Sequence, residues 1–190
     1  MISTAIKKGV AQQAWIDAAV KSMTTLNKTA AEALINTYGR TTALGGPADD
    51  ARRTTPGGAL PVHALTDITG FGLIGHLREM LLASDGVSAR IAASTVPLLD
   101  GAMECVRAGH IPGGLKANRD FAECIVSCDS AVSDDLRTIL FDPQTAGGLL
   151  AAVAPEAAED LLNRLSVAGV PAVEIGEVVS PPKTQIHVTK

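Results

Sequence analysis

The side chains and glycines best suited to chemistry lie close together, in residues 66–76. In chain order they are Thr66, Asp67, Thr69, Gly70, Gly72 and Gly75. Glycines at the start of a helix let an anion approach the backbone, whose unpaired N–H groups and positive dipole end attract negative charge. A carboxylate such as Asp67 can hold the Mg²⁺ that accompanies a phosphate. The segment is therefore a candidate site for a metal-bound phosphate.

The same residues allow two other interpretations. In the first, Asp67 or Thr69 is an N-cap of the helix and the glycines serve packing, and spacing alone does not decide against it. In the second, the three glycines spell the G-x-G-x-x-G fingerprint of dinucleotide-binding proteins. That fingerprint directly follows a buried apolar strand and has an acidic residue about 20 positions later. Polar residues occupy the approach here and the helix ends early, at Asp85 and Gly86, so we reject the dinucleotide interpretation.

Two further glycine-containing segments could lie beside a ligand. Residues 141–150 combine Asp142-Pro143, which starts a turn, with Gly147-Gly148 ahead of a strand. Turn chemistry alone favours a strained connection there over a ligand loop. The Pro112-Gly113-Gly114 loop precedes Lys116, Asn118 and Arg119. Such a loop could meet an anion, but solvated surface is the commoner outcome.

The cysteines and histidines form no recognisable reactive set by spacing. Cys124 and Cys128 are four apart and would share a helix face, but no further ligand stands at zinc-site spacing, so core packing is favoured. Three cysteines without a CxxC pair indicate a reducing compartment, and we expect the cytoplasm. The four histidines are His63, His76, His110 and His187. No Ser/His/Asp or Cys/His set can be assembled from their spacing alone.

Composition limits the classes of partner. The 190 residues are 46% hydrophobic but only 3% aromatic, so Ala, Val, Ile and Leu must fill the core. A net charge of -4 provides no basic stripe, which argues against nucleic acid as a partner. The N-terminal region lacks the unbroken apolar run of a signal peptide, and no stretch approaches membrane-spanning length. We therefore expect neither export nor a membrane anchor.

Hydrophobic periodicity predicts both helices and strands. Helices are predicted over 11–38, divided near Asn27 and Thr29 and closed by Gly39, and over 73–84, 98–108, 119–126 and 156–168. Strands are predicted over 62–65, 87–92, 149–153, 172–178 and 184–188, the last two as a closing pair. Residues 41–60 are rich in Gly and Pro and predict a mobile surface loop. Without a strict βαβ repeat, the pattern favours an α+β fold with a mixed sheet packed with helices.

Two stretches resemble a known family. TDITGFGLIGHL at 66–77, with Glu79-Met80, and DPQTAGGLL at 142–150 closely resemble the signature stretches in the C-terminal domain of selenophosphate synthetases. Supporting matches occur in order at 2–5 with Lys7-Lys8, at 108–114 with Asn118, and at 175–177. Ala146 stands where Ser is common, and the 41–60 stretch looks longer than usual in the family.

The resemblance implies a fold and a set of site residues. The fold is like that of the C-terminal domain of aminoimidazole ribonucleotide synthetase, in a superfamily that pairs this domain with an ATP-binding N-terminal one. The family's enzymes convert selenide, ATP and water to selenophosphate, AMP and phosphate, for selenocysteine and selenouridine synthesis. They hold ATP through Mg²⁺ bound by aspartates, one of which matches Asp67. The remaining tentative assignments, on the phosphate side, are Thr66, Thr69, Gly70 and Gly72.

The resemblance also implies what these residues lack. The family's Cys or selenocysteine nucleophile, its neighbouring lysine and its other metal-binding aspartates lie in the N-terminal domain. We therefore expect 1–190 to be a single C-terminal domain with no catalytic residue of its own, inactive alone, and homodimeric in the full enzyme. Two alternatives stay open: another superfamily member, of the aminoimidazole ribonucleotide synthetase or hydrogenase-maturation type, and a non-catalytic dimerisation fragment.

Overall fold

The computed structural model describes residues 1–38, 61–84, 86–180 and 186–190. The helices are α1 Ile2–Lys7, α2 Gln13–Thr24, α3 Lys28–Tyr38, α4 Gly72–Leu82, α5 Ala102–Arg107, α6 Gly113–Ala122, α7 Asp134–Ile139 and α8 Pro155–Val167. The strands are β1 Val62–Asp67, β2 Ser88–Ala92, β3 Val126–Cys128, β4 Leu149–Val153, β5 Gly176–Val179 and β6 Ile186–Thr189. The predicted loop at 41–60, the Gly39 cap and Asp85 of the predicted turn lie outside the described residues.

The chain forms two compact units, and the first comprises residues 1–25, 67–148 and 174–190. Its four strands follow the order β3-β6-β2-β5. The β3/β6 and β2/β6 pairs are parallel and the β2/β5 pair is antiparallel, so the sheet is mixed. Helix α4 packs against α6, and α5 packs against α1 and α7. The largest fully buried side chains of this unit include Phe141, Ile74, Ile186 and Val188.

The second unit comprises residues 26–66 and 149–173. Strands β1 and β4 form a two-stranded sheet, and α3 packs against α8. Leu161 and Leu165 lie one helical turn apart on α8 and are buried with Leu34 of α3. Half-buried residues of β1 and β4 pack against this cluster, which gives the unit its own small apolar core.

The predicted fold class is confirmed, with mixed sheets packed with helices. The division of 11–38 into two helices is also confirmed, since α2 ends at Thr24 and α3 begins at Lys28. The closing strand pair is wrong, because β5 and β6 lie on opposite sides of β2. Ile186 and Val188 of β6 are buried, as a strand between two neighbours requires, whereas β5 is mostly exposed and takes the sheet edge.

The predicted helix over 119–126 has the wrong bounds. Helix α6 begins six residues earlier, at Gly113, and ends at Ala122, and a short 3-10 turn leads into β3 at Val126. Cys124 and Cys128 therefore share no helix face. Helix α7 was missed although a signal for it exists: Ser133 caps it by accepting a hydrogen bond from the Leu136 N–H at 3.3 Å, with two aspartates in the first turn.

Candidate functional site

The segment after β1 enters helix α4 through a backbone turn. The Gly72 N–H donates to the Thr69 carbonyl at 3.0 Å, and Gly72 adopts a left-handed φ of 69° as the first residue of α4. The N-cap position is Phe71, whose side chain makes no capping hydrogen bond. Asp67 and Thr69 therefore do not occupy the N-cap position, and that interpretation is wrong. The Asp67 side chain lies at the end of β1 and is exposed.

Residues 67–76 and 140–148 lie side by side, and we call them the paired segments. Their backbones are joined by four hydrogen bonds: Ile68 N to Gly148 O at 2.9 Å, Gly147 N to Ile68 O at 2.9 Å, Gln144 N to Thr69 O at 3.0 Å and Ile74 N to Leu140 O at 3.2 Å. The second segment, where turn chemistry favoured a mere strained connection, therefore runs along the first and fixes its path.

Two glycines make this close approach possible. A Cβ on Gly72 would lie 3.0 Å from the Asp142 carbonyl oxygen, and a Cβ on Gly147 would lie 2.5 Å from the Ile68 carbonyl oxygen. Gly70 and Gly148 have no atom within 4 Å of an added Cβ. Within each motif, one glycine is thus required by packing and another leaves open space beside the backbone.

Asn118 joins the paired segments from a third element. Its side chain is 7% exposed, and its Nδ2 donates to the Gly70 carbonyl at 2.9 Å and to the Phe141 carbonyl at 3.1 Å. Helix α6, on which Asn118 lies, packs against α4. The predicted loop at Pro112-Gly113-Gly114 is wrong, because Pro112 is the N-cap of α6 and Gly113 and Gly114 are its first residues.

Thr69 begins a chain of three polar side chains within the first segment. Its Oγ1 lies 3.1 Å from Nε2 of His76, and Nδ1 of His76 lies 3.2 Å from Oε2 of Glu79. A neutral imidazole donates from one nitrogen and accepts at the other. Since the Glu79 carboxylate can only accept, Nδ1 carries the proton of a neutral His76, and Nε2 then accepts from the Thr69 hydroxyl. The Thr69 oxygen then presents lone pairs, rather than its proton, to any third group.

Asp142 is a half-buried carboxylate of the second segment. The Met1 α-amino nitrogen lies 2.8 and 2.9 Å from its two oxygens, and Gln144 donates to it at 3.3 Å. Burial raises the pKa of the Asp142 carboxyl, and this outweighs the opposing effects of the amino group and of Gln144. The charge of this carboxylate is therefore costly to keep in the folded chain.

The described residues offer a partial metal site at most. Across the described ranges, no group of three His, Cys, Asp or Glu side chains is arranged to hold a metal ion. Asp67, at the start of the first paired segment, has one exposed carboxylate. Mg²⁺ is commonly held by one or two protein carboxylates together with substrate phosphates, so one exposed carboxylate fits this ion as part of a ligand set.

The three cysteines differ in environment. Cys105 is fully buried, and burial raises the pKa of its thiol. Cys128 is half-buried on β3, and burial raises its thiol pKa as well. Cys124 is exposed, so the core-packing interpretation is wrong for that residue. It lies in the short 3-10 turn between α6 and β3.

Sequence spacing missed a second chain of polar side chains. Ser127 Oγ lies 2.8 Å from Nδ1 of His187, and Nε2 of His187 lies 3.1 Å from Oδ1 of Asp129. Ser127 and His187 are opposite each other in the parallel β3/β6 pair. They lie 60 residues apart in sequence. No local motif could have revealed the contact, because strand register creates it.

The helices in the described parts of the chain are all too short or too polar to cross a bilayer.

Comparison with known proteins places the fold and the paired segments in a family. The family described as "AIR synthase related protein, C-terminal domain" matches residues 54–189. "Selenide, water dikinase" of Pelobacter propionicus is 42% identical over 189 residues, covering 99% of this chain and 47% of the relative. "Selenide, water dikinase 2" of Peptoclostridium acidaminophilum is 35% identical over the same shares. "Selenide, water dikinase" of Clostridioides difficile is 34% identical over 190 residues, 100% of this chain and 47% of the relative.

The chain therefore spans about half the length of these curated relatives, and it aligns with their C-terminal half. The resemblance drawn from residues 66–80 and 142–150 is confirmed. Because the family match covers well over half of the sequence, the chain belongs to the AIR synthase related protein, C-terminal domain family.

Proposed function

We propose that this chain serves as the C-terminal half of a selenide, water dikinase, which makes selenophosphate, AMP and phosphate from selenide, ATP and water. The pairing of residues 67–76 with 140–148 carries the proposal. The two stretches that resemble the family's signatures are distant in sequence, yet their backbones hydrogen-bond along their length. An arrangement built by tight glycine contacts suits a surface that must hold a phosphate chain in one position.

Asp67 is proposed as the ligand that this chain contributes to Mg²⁺. Its carboxylate is exposed at the end of β1, and Asp67 is the first residue of the first paired segment. When bound, Mg²⁺ neutralises phosphate charge during phosphoryl transfer. The remaining ligands would come from ATP and from the part of the relatives that has no counterpart in these residues.

Thr66, Thr69, Gly70 and Gly72 are proposed to lie on the phosphate side of this site. The hydrogen-bonded side chains of Thr69, His76 and Glu79 make a specific contribution. When the Thr69 hydroxyl donates its hydrogen bond to neutral His76, the Thr69 oxygen is free to accept from a metal-bound water or to coordinate the cation, rather than to donate to a phosphate oxygen. Gly70 leaves open space beside its backbone, as an approaching anion requires.

The nucleophile and the remaining metal-binding residues are proposed to come from the other half of the relatives' length. We therefore propose that the chain alone is inactive, and that the whole enzyme is a cytoplasmic homodimer. None of the three cysteines is proposed as the nucleophile.

The proposal is tested by complementation. This chain and the separately produced other half of a relative are mixed with Mg-ATP and selenide under anaerobic conditions, and phosphorus NMR follows selenophosphate. We expect product only from the mixture. Asp67→Asn should lower selenide-dependent ATP consumption by about 100-fold, since a ligand for transition-state charge is lost.

Asp160→Asn is the matched control. It removes an exposed carboxylate that pairs with Arg164 one turn away on α8, and it should leave turnover unchanged. Near-normal turnover in Asp67→Asn would contradict the metal assignment. Selenophosphate made by this chain alone would contradict the need for the other half.

A further inference from the structure

The exposed side of the four-stranded sheet carries a hydroxyl, an imidazole and a carboxylate in one hydrogen-bonded chain. Side chains alternate between the two faces of a strand, so Ser127 and Asp129 extend from the same face of β3. The register places Ser127 opposite His187 of β6 on that face. The intervening Cys128 and its partner Val188, which is fully buried, face the other way.

The backbone holds this arrangement rigidly. The parallel β3/β6 ladder continues past the end of β3, because the Asp129 N–H donates to the Val188 carbonyl at 2.9 Å. Asp129 is therefore fixed beside His187 from the backbone as well as through its side chain. Groups on paired strands keep their geometry better than groups on loops.

The two contacts of His187 define its tautomer. The Asp129 carboxylate, 3.1 Å from Nε2, can only accept, so the neutral imidazole carries its proton there. Nδ1, 2.8 Å from Ser127 Oγ, is then the acceptor for the serine proton. Ser127, His187 and Asp129 thus have the roles of nucleophile, base and orienting acid in a Ser-His-Asp triad. The difference is that the serine here contacts Nδ1 and the aspartate contacts Nε2, the reverse of the serine protease arrangement.

We propose that Ser127 is a nucleophile activated by His187, and that it accepts an acyl group from small activated esters. Ser127 Oγ attacks the ester carbonyl and forms an O–C bond while its proton passes to Nδ1 of His187. The tetrahedral adduct then breaks the bond to the leaving alcohol, which takes that proton from Nδ1. Water attacks the acyl-serine by the same route and releases the carboxylic acid, restoring the serine hydroxyl.

The surroundings define the class of substrate. The side chain of His187 is 40% exposed and that of Asp129 is 46% exposed, so a molecule in solution can reach them. On the neighbouring strand β2, Arg90 lies opposite His187. Arg90 also forms an ion pair with Glu177 of β5. A polar, open face suits small esters with good leaving groups better than long apolar acyl chains.

The test uses the 190-residue chain and a fluorophosphonate probe, which forms an O–P bond to an activated serine and expels fluoride. We expect labelling of Ser127, located by peptide mass spectrometry, and its loss in Ser127→Ala. His187→Gln should slow labelling by about 100-fold, because the base is removed. Asp129→Asn, which keeps the shape but weakens the orienting contact, should slow it by about 10-fold.

Ser166→Ala is the control, since Ser166 is an exposed serine on α8 without such a chain, and labelling of Ser127 should be unchanged in it. Circular dichroism of each variant confirms that it is folded. If His187→Gln does not fold, Asp129→Asn decides. Labelling of Ser127 no faster than that of Ser166, or an unchanged rate in a folded His187 or Asp129 variant, would overturn the proposal.

Discussion

Two chains of hydroxyl, imidazole and carboxylate occur in the first compact unit, and the fold assembles them in different ways. Thr69, His76 and Glu79 lie within one turn and helix, seven and three residues apart. Ser127, Asp129 and His187 meet only because β3 and β6 pair in one register. The His76 side chain is 9% exposed, whereas that of His187 is 40% exposed.

This difference separates a positioning role from a reactive one. The buried His76 packs against Phe71, with ring centroids 5.5 Å apart, and fixes the Thr69 hydroxyl inside the paired segments. The His187 side chain is 40% exposed, so molecules in solution can reach the imidazole that contacts the Ser127 hydroxyl. Similar chemical groups thus position a side chain in the paired segments and provide the proposed reactivity at Ser127.

The comparison predicts that stability is concentrated in the paired segments. Gly147→Ala places a Cβ 2.5 Å from the Ile68 carbonyl oxygen, a backbone atom that cannot move away alone. We expect it to lower the free energy of unfolding by about 3 kcal/mol, as overpacking does. Urea unfolding of the chain measures this.

Gly148→Ala is the neighbouring control, because nothing lies within 4 Å of the added methyl group. It should change the free energy of unfolding by less than about 1 kcal/mol. Ser127→Ala, on the exposed sheet face, should be similarly mild. Equal losses for Gly147→Ala and Gly148→Ala would show that the close approach of the two segments does not hold the site.

A second prediction concerns Asn118, whose side chain bonds both paired segments. Asn118→Ala removes donors to the Gly70 and Phe141 carbonyls and leaves both without that partner. The expected loss in the free energy of unfolding is about 2 kcal/mol, measured in the same urea experiment. Asn163→Ala, at an exposed position on α8, should cost far less. If the two substitutions cost the same, Asn118 is not a structural part of the site.

The sequence predicted the site where its residues are consecutive. Residues 66–77 and 142–150 were identified as signatures, and glycine spacing pointed to a close backbone approach. It could not show that these segments pair with each other, or that Asn118 joins them, because those contacts depend on tertiary packing. Asp67 as the metal ligand stays a prediction.

The fold shows the same limit. Apolar spacing predicted α2, α3, α4 and α8, and on α4 and α8 the buried residues repeat every three or four positions. The three-residue strand β3 is too short to show an alternating pattern, and its first residue, Val126, was assigned to the end of the predicted helix over 119–126. With β3 unrecognised, the register that joins Ser127 to His187 could not be found.

The smallest expected effect concerns pH and Asp142. Burial raises the pKa of this carboxyl above its ordinary 3.8, so the folded chain holds the proton more tightly than the unfolded chain does. The contribution of Asp142 to stability must then fall as pH rises from about 3.8 through the raised pKa. The melting temperatures of the wild-type chain and of Asp142→Asn should be compared across this range. We expect the melting temperature of the wild type to fall relative to that of the variant as pH rises.

The opposite trend has a clear physical meaning. If the wild type gained stability over Asp142→Asn with rising pH, the ion pair between Asp142 and the Met1 amino group, 2.8 Å apart, would outweigh desolvation. Asp142 would then act as an anchor for that amino group. The predicted trend instead makes Asp142 a carboxylate whose charge is costly where it lies. The second paired segment would then contain a carboxylate whose charge is destabilised by burial. By contrast, the Asp129 carboxylate beside His187 is 46% exposed and remains partly hydrated.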